Sequence, residues 1–133
     1  YFRARVPTLA HSVRIETEIV GSPVVRGDPV LLEWAVEALV KNAIDALAGR
    51  GGRVGIHATE RPEGAVELIV EDDGPGIARD LRRRIFEPGF STKPSGWGIG
   101  LALTKRIAEE SHGGKIALLP SDKGATFQIT FPG

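Results

Sequence analysis

Asn42 and Asp45 stand three residues apart in the run Asn42-Ala43-Ile44-Asp45-Ala46, so on a helix they share one face. An amide oxygen on a helix is a hard donor suited to Mg2+, which keeps most of its waters and leans on phosphate oxygens. Taken alone, Asn42 reads first as a solvated helix residue. A second constellation is Asp72-Asp73-Gly74-Pro75-Gly76-Ile77, placed where an apolar-rich strand runs out of a sheet. Gly74 and Gly76 have no Cβ to keep backbone away from a flat ligand. A half-buried Asp72 there accepts from the exocyclic amine of adenine, the kind of buried polar pairing that discriminates between bases. The competing reading is a turn in which Asp72 or Asp73 caps its own backbone.

The third element of chemistry is Gly96-Trp97-Gly98-Ile99-Gly100-Leu101. At a helix start, Gly98-Ile99-Gly100 offers unpaired N–H groups and the positive end of the dipole to an anion. Lys93, in the preceding loop, reaches a terminal phosphate if that loop closes, and a loop that opens and closes suits nucleotide exchange. Glycines required only for close helix packing give the same pattern. The motif follows a loop and not a strand, unlike a dinucleotide fingerprint. No Gly-x-x-x-x-Gly-Lys-Ser/Thr occurs, which removes the P-loop.

These groups need a scaffold. Residues 12–20 alternate apolar and polar, a half-buried strand, and a short strand is expected over 23–26. Asp28-Pro29 reads as N-cap and first helical residue. Leu32, Val36, Leu39, Val40, Ala43 and Leu47 then recur at threes and fours, so the helix is expected to run to about Ala48. Strands over 53–59 and 65–72 form a hairpin across 60–64. A short helix is expected over 78–84, then an aperiodic loop over 87–96. A helix from Gly98 to about Ser111 stops at His112-Gly113-Gly114, and strands over 115–119 and 125–131 close the chain. The implied fold is an α/β (α+β) two-layer sandwich: a mixed, mostly antiparallel sheet with helices on one face.

The 133 residues form one domain, with 17 Lys+Arg balanced by 17 Asp+Glu. That balance gives no field toward nucleic acid or an anionic membrane, so neither is expected as a partner. With no Cys there is no disulfide framework, thiol chemistry or Cys-based metal site. No apolar run approaches the ~18 residues of a membrane span. A cytoplasmic domain is expected, whether its parent is anchored or not. His11, His57 and His112 have no spacing for metal ligation or a dyad; His112 complements a helix dipole.

Taken together and in this order, the motifs resemble those of the catalytic ATP-binding domain of bacterial sensor histidine kinases, in the GHKL superfamily with the Bergerat fold. The resemblance runs from about Val13 to Pro132. Leu39 to Ala46 is similar to the asparagine box, and Asp72 to Ile77 to the first glycine box. Ile85 to Lys93, including Phe90, is similar to the phenylalanine box, and Gly96 to Leu101 to the second glycine box; Gly124 to Pro132 is similar to the closing strand. What this implies is a site for ATP and Mg2+. Asn42 binds the metal, with Asp45 and Ala46 beside it. Asp72 takes the adenine amine, with Gly74, Gly76 and Ile77 against the base and Thr126 supporting its far edge. Lys93 and the Gly98-Ile99-Gly100-Leu101 backbone hold the phosphates under a lid containing Phe90 and Trp97. Asn42 and Lys93 are the implied catalytic residues.

The implied reaction transfers the ATP γ-phosphoryl to a histidine on a separate dimerisation domain of the same parent, and from there to a response regulator. No histidine here has the flanking acidic residue and proline of an acceptor box, so this piece alone is not expected to autophosphorylate. Residues 1–11 are expected to end a connection from the acceptor helix, with the ATP-binding domain over 12–133. Two positions depart from the family pattern. Ala38 stands where many members have a second Asn, so that metal affinity is weaker or water fills the gap. Trp97 stands where a small residue is common, and either packs the lid on the nucleotide or anchors the loop. The alternatives are an ATPase of the gyrase, Hsp90 or MutL kind, an anti-sigma serine kinase, and a degenerate nucleotide-binding module.

Overall fold

A computed structural model describes residues 13–47, 51–82, 84–87, 98–121 and 123–133, with the backbone alone for 98–100. In chain order the elements are β1 (Val13–Val20), α1 (Pro29–Ala46), β2 (Gly52–Glu60), β3 (Val66–Asp72), α2 (Gly98–Arg106), β4 (Lys115–Leu119) and β5 (Thr126–Phe131). Single 3-10 turns lie at Pro62–Gly64 and Arg79–Leu81, and a π turn at Ile107–Ser111 prolongs α2.

The strands form one sheet in the order β1-β2-β3-β5-β4. β1 and β2 are parallel, joined by α1 as a crossover, and the other three pairings are antiparallel. The mixed, mostly antiparallel sheet expected from the sequence is therefore present. Strand parity sorts its faces. One row of aligned residues is Thr17, Ile56, Val70, Phe127 and Leu118, and the next is Ile19, Ala58, Leu68, Ile129 and Ile116. The inner members of these rows, Ile56, Val70, Phe127, Leu118, Leu68, Ile129 and Ile116, with Val54, Val66 and Phe131, meet Leu39, Val40, Ala43, Ile44 and Leu47 of α1 and its C-cap in the core, while Thr17 and Ile19 on the edge strand are exposed. Leu39, Leu47, Val54, Val70 and Ile129 are at most 1% exposed, each worth roughly 1.5–3 kcal/mol of apolar burial.

The opposite face is polar. Arg53 reaches Glu16 and Glu71, both at 3.2 Å, and His57 lies 3.0 Å from Glu71 and 3.3 Å from Glu18. Such half-exposed pairs contribute little stability individually, but they order the side chains across β1, β2 and β3.

α1 starts as its sequence dictates. Asp28 has extended backbone, and its Oδ1 accepts from the amides of Val30 at 2.9 Å and Leu31 at 3.3 Å, with Pro29 first in the helix. The Asp28 N–H donates to His112 Nε2 at 3.1 Å, while His112 Nδ1 lies 2.7 Å from the Ile107 carbonyl. That pairing selects the tautomer with the proton on Nδ1, so His112 meets the end of its helix as a neutral donor bridging to α1. The start of α1 thus touches the end of the α2 segment. α2 stops as expected, with Gly113 at φ 67 and the amides of Gly113 and Gly114 donating to Glu109 and Ala108.

Two expected elements are absent. Residues 23–26 form no strand: β1 is an edge strand, and here the chain leaves it to reach α1. Val25 packs on the core while Val24 is 74% exposed. The helix expected over 78–84 is only the turn Arg79–Leu81, followed by further i→i+3 bonds from Arg84 to Leu81 and Glu87 to Arg84. Arginine at 79, 82, 83 and 84 leaves no apolar stripe to bury, and among the described residues Ile85 and Phe86, just beyond it, tie the chain to the core. The expected loop over 88–96 and connection over 1–11 lie outside the described residues.

Replacing Asp28 with Ala removes the side-chain acceptor for two helix amides. Urea denaturation is expected to show a loss of about 1 kcal/mol; an unchanged midpoint would exclude the cap as a contributor.

Candidate functional site

The strand directions gather the sequence-selected residues at one end of the molecule. β3 ends there at Asp72, β5 begins there at Thr126, and α1 ends there, its Ala46 carbonyl 3.2 Å from where a Cβ on Gly74 would stand. α1 packs on α2, and their other ends meet at Asp28 and His112. The two helices therefore run in opposite directions. At about 1.5 Å per residue, some 20 Å of rise carries each from that junction to Asn42 on one side and Gly98 on the other. The structure thus brings Asn42, Asp45, Ala46, Asp72, Gly74, Gly76, Ile77 and the backbone of Gly98, Ile99 and Gly100 toward a common end.

Asp72 is the buried charge of the group, 5% exposed. Its Oδ1 accepts from Gly74 N–H at 2.8 Å, and its own N–H donates to the Ala125 carbonyl at 2.9 Å. Burying a carboxylate carries a cost of several kcal/mol unless hydrogen bonds offset it, and the tight loop supplies one of them. Asp72 does cap its own turn, as the competing sequence reading has it. That bond engages Oδ1 from the loop side and leaves the end-of-strand position of the carboxylate unchanged.

Glycines make the close approaches here. A Cβ on Gly124, at φ 71, would collide with the Asp72 carbonyl. Gly76, at φ 79, would bring its Cβ to 3.1 Å from the Gly124 carbonyl. Two loops therefore meet backbone to backbone beside Asp72, which only residues without side chains permit. Ile77 is half-buried against the core.

On α1, Asn42, Asp45 and Ala46 are all half-buried, and Asn42 and Asp45 both have interaction partners. Asn42 is therefore not a freely solvated helix residue. Ala38, one turn earlier, is 6% exposed. The position at which the resemblance leads one to expect a second Asn is a packing position in this chain. Leu101 of α2 packs on the core. Phe90, Lys93 and Trp97 lie outside the described residues.

Thr126 is not brought to this site. It is aligned with Glu71, and Glu71 faces the polar side of the sheet, bonded to Arg53 and His57. Because side chains alternate along a strand, Thr126 faces away from Asp72, and the buried Ala125 takes the adjoining position. A one-residue difference in parity decides the face. The sequence of the closing strand alone does not carry that register.

Asp73 enters the sequence reading only as an alternative cap of its own turn; in the structure it bonds across to β2. Its Oδ1 accepts from Arg53 N–H at 2.9 Å, and its N–H donates to the Arg53 carbonyl at 3.3 Å. The first of these bonds is the main cause holding its carboxyl below the usual aspartate range, with Lys123 and Arg53 adding attraction against the cost of burial. Glu71 in turn is the main cause raising the Arg53 guanidinium above its ordinary value. No group of three or more His, Cys, Asp or Glu able to hold a metal occurs among the described residues. None of the described helices is long and apolar enough to cross a membrane.

The chain is similar to known proteins over most of its length. Residues 27–133 match the family described as histidine kinase-, DNA gyrase B-, and HSP90-like ATPase. The sensor histidine kinase ZraS of Salmonella typhimurium is 40% identical over 109 residues, covering 81% of this chain and 23% of its own. The chain spans about a fifth of the length of the curated relatives it matches. Among solved structures, the catalytic domain of the histidine kinase ThkA superposes with a TM-score of 0.85 at 30% identity, covering 98% of this chain and 84% of that one. Full-length ShkA, solved in complex with AMPPNP, has a TM-score of 0.78 at 28% identity, covering 98% and 28%.

Two outcomes are expected from this geometry. Thr126→Val should leave ATP affinity by calorimetry within about twofold of wild type, since its side chain lies across the sheet from Asp72; a larger loss would restore Thr126 to the site. Because the Asp73 pKa is depressed on folding, its contribution to stability is full above the ordinary aspartate value of about 3.9 and disappears as the pH falls through the lower folded value. The stability gap between wild type and Asp73→Ala should accordingly be constant from pH 7 to about 5 and close below about 4. A gap that widened with acid would contradict this assignment.

Proposed function

The chain belongs to the histidine kinase-, DNA gyrase B-, and HSP90-like ATPase family, and from that premise we propose that it transfers the γ-phosphoryl group of ATP to a histidine on a separate dimerisation domain. Its relatives are sensor histidine kinases, and its fold is that of their catalytic domains. The observation that carries the proposal is the buried Asp72 at the end of a central strand, flanked by glycine backbone and by the end of α1.

The residues present fit Mg·ATP. Ionised, Asp72 is an acceptor-only group, in a place shielded from water, where it pairs with the adenine amine. Gly74, Gly76 and Ile77 adjoin the base. Asn42 supplies an amide oxygen for Mg2+, with Asp45 and Ala46 beside it on α1. The metal supplies charge neutralisation on the phosphates. The amides opening α2 at Gly98, Ile99 and Gly100 face the phosphates, with Leu101 seating that turn on the core; Lys93, Phe90 and Trp97 belong to the segment that covers them. This chain contributes positioning and electrostatics, the two things phosphoryl transfer asks of a protein.

The partners follow from the reaction. The phosphoacceptor helix belongs to the same parent, with residues 1–11 as the end of the connection to it and 12–133 as the catalytic unit. ThkA has been solved in complex with the response regulator TrrA, and a response regulator is the downstream partner proposed here. We place the domain in the cytoplasm, where ATP is available, with no nucleic-acid or membrane contact of its own. Hydrolysis of the gyrase kind asks for a general-base carboxylate one turn before Asn42; that position is the buried Ala38.

The experiment is radiolabelled transfer to a separately expressed dimerisation domain. The wild-type domain should label it, and Asn42→Ala should lose Mg2+-dependent labelling while remaining folded. Steady phosphate release without transfer would instead identify an ATPase. Asp72→Asn should weaken ATP binding by roughly 1–3 kcal/mol, the scale of a buried group left mispaired; unaltered affinity would remove Asp72 from base recognition.

A further inference from the structure

The loop that carries Asp72 has two glycines within four residues, yet the carboxylate has to hold one position to read a base. Three contacts restrain it. Just before β5, the Ala125 carbonyl takes the Asp72 N–H at 2.9 Å. From the loop itself, Gly74 N–H meets Asp72 Oδ1 at 2.8 Å. From β2 the restraint is Asp73. The β2–β3 ladder ends at Val54 and Asp72, and the next pair is Arg53 with Asp73. Asp73 N–H still donates to the Arg53 carbonyl at 3.3 Å, but the return bond from Arg53 N–H ends on Asp73 Oδ1 at 2.9 Å. The side chain replaces a main-chain carbonyl as the chain turns away toward Gly74.

The anchor on the β2 side is itself fixed. The Arg53 guanidinium is held at 3.2 Å by both Glu71 and Glu16. Gly52, at φ 141, leaves open the space that Asp73 Oδ1 occupies, where a Cβ would collide with it. The Asp73 carboxyl is held below its ordinary range, so at neutral pH it is a charged acceptor, whose hydrogen bonds are roughly twice as strong as neutral ones.

We propose that Asp73 is a positioning residue for base selection, aiming Asp72 at the 6-position of a purine by extending the β2–β3 ladder through its side chain. The inference rests on the assignment of Asp72 to adenine recognition. Its consequence is for specificity more than for total binding. The groups assigned to the phosphates are carried by α1 and α2 and not by the β2–β3 turn itself, so a displaced Asp72 acts first on the hold on the base. A 6-amino group donates to the carboxylate, whereas the 6-oxo group of guanine presents an acceptor against it. Loosening Asp72 therefore lowers affinity for ATP and relieves the penalty against GTP.

The test is the ratio of dissociation constants for GTP and ATP, measured with Mg2+ by calorimetry on wild type, Asp73→Ala and Asp73→Asn. The ratio is insensitive to the fraction folded, so a purely structural loss leaves it in place. Wild type should prefer ATP, Asp73→Ala should lose roughly tenfold of that preference, and Asp73→Asn, which keeps an oxygen in that place, should recover most of it. Asp73→Glu, a milder change that moves the oxygen by one methylene, should shift the ratio in the same direction as Ala and serves if the Ala variant does not fold. A wild-type ratio preserved in both Ala and Glu variants overturns the role of Asp73 alone. A preference lost equally with Asn and Ala overturns it too. A wild-type domain with no preference removes Asp72 from base recognition, and Asp73 with it.

Discussion

A charge buried at the end of a central strand has to be surrounded by groups that tolerate and aim it, and the upper end of this sheet is arranged around that requirement at Asp72. The carboxylate is desolvated, which makes it a poor neighbour for apolar packing and a sharp discriminator for a hydrogen-bonding ligand. Its amide is taken by Ala125 just before β5, its Oδ1 by Gly74, and the next residue is tied to β2. Glycine at 74, 76 and 124 follows from the same requirement, because backbone and not side chains comes against it.

The opposite end of the molecule serves to fix the two helices. Asp28 caps α1 through its side chain and meets His112 through its N–H, while His112 reaches back to the last turns of the α2 segment. A neutral imidazole with one donor and one acceptor thus joins the start of one helix to the end of the other. The ends that carry Asn42 and Gly98 are thereby held at matching heights, some 20 Å away by helical rise. Phe86 stands edge-on to Phe127 at 6.1 Å, with the Lys105 ammonium 5.6 Å from its ring centre. That contact ties the chain leaving the site to both the sheet and α2.

Local signals in the sequence carried much of this. Asp28-Pro29 announced the start of α1, period-two alternation announced β1, and His112-Gly113-Gly114 announced the end of α2. These depend on neighbours a few residues away. The failures were non-local. Residues 23–26 have strand-forming valines but no strand to pair with, and 78–84 has helical length but no apolar face. Thr126 was assigned to the base because its strand was recognised, whereas its side-chain direction depends on register with Glu71 across the sheet. The Asp73–Arg53 bond joins residues twenty positions apart, and no spacing rule in the chain foretells it.

The account turns on where a purine docks, and a crystal structure of the domain with a non-hydrolysable ATP analogue and Mg2+ addresses that directly. The adenine 6-amino nitrogen should lie within hydrogen-bonding distance of the Asp72 carboxylate, with the phosphates between Asn42 and the first amides of α2. A nucleotide bound at any other surface, with Asp72 unengaged, would contradict it.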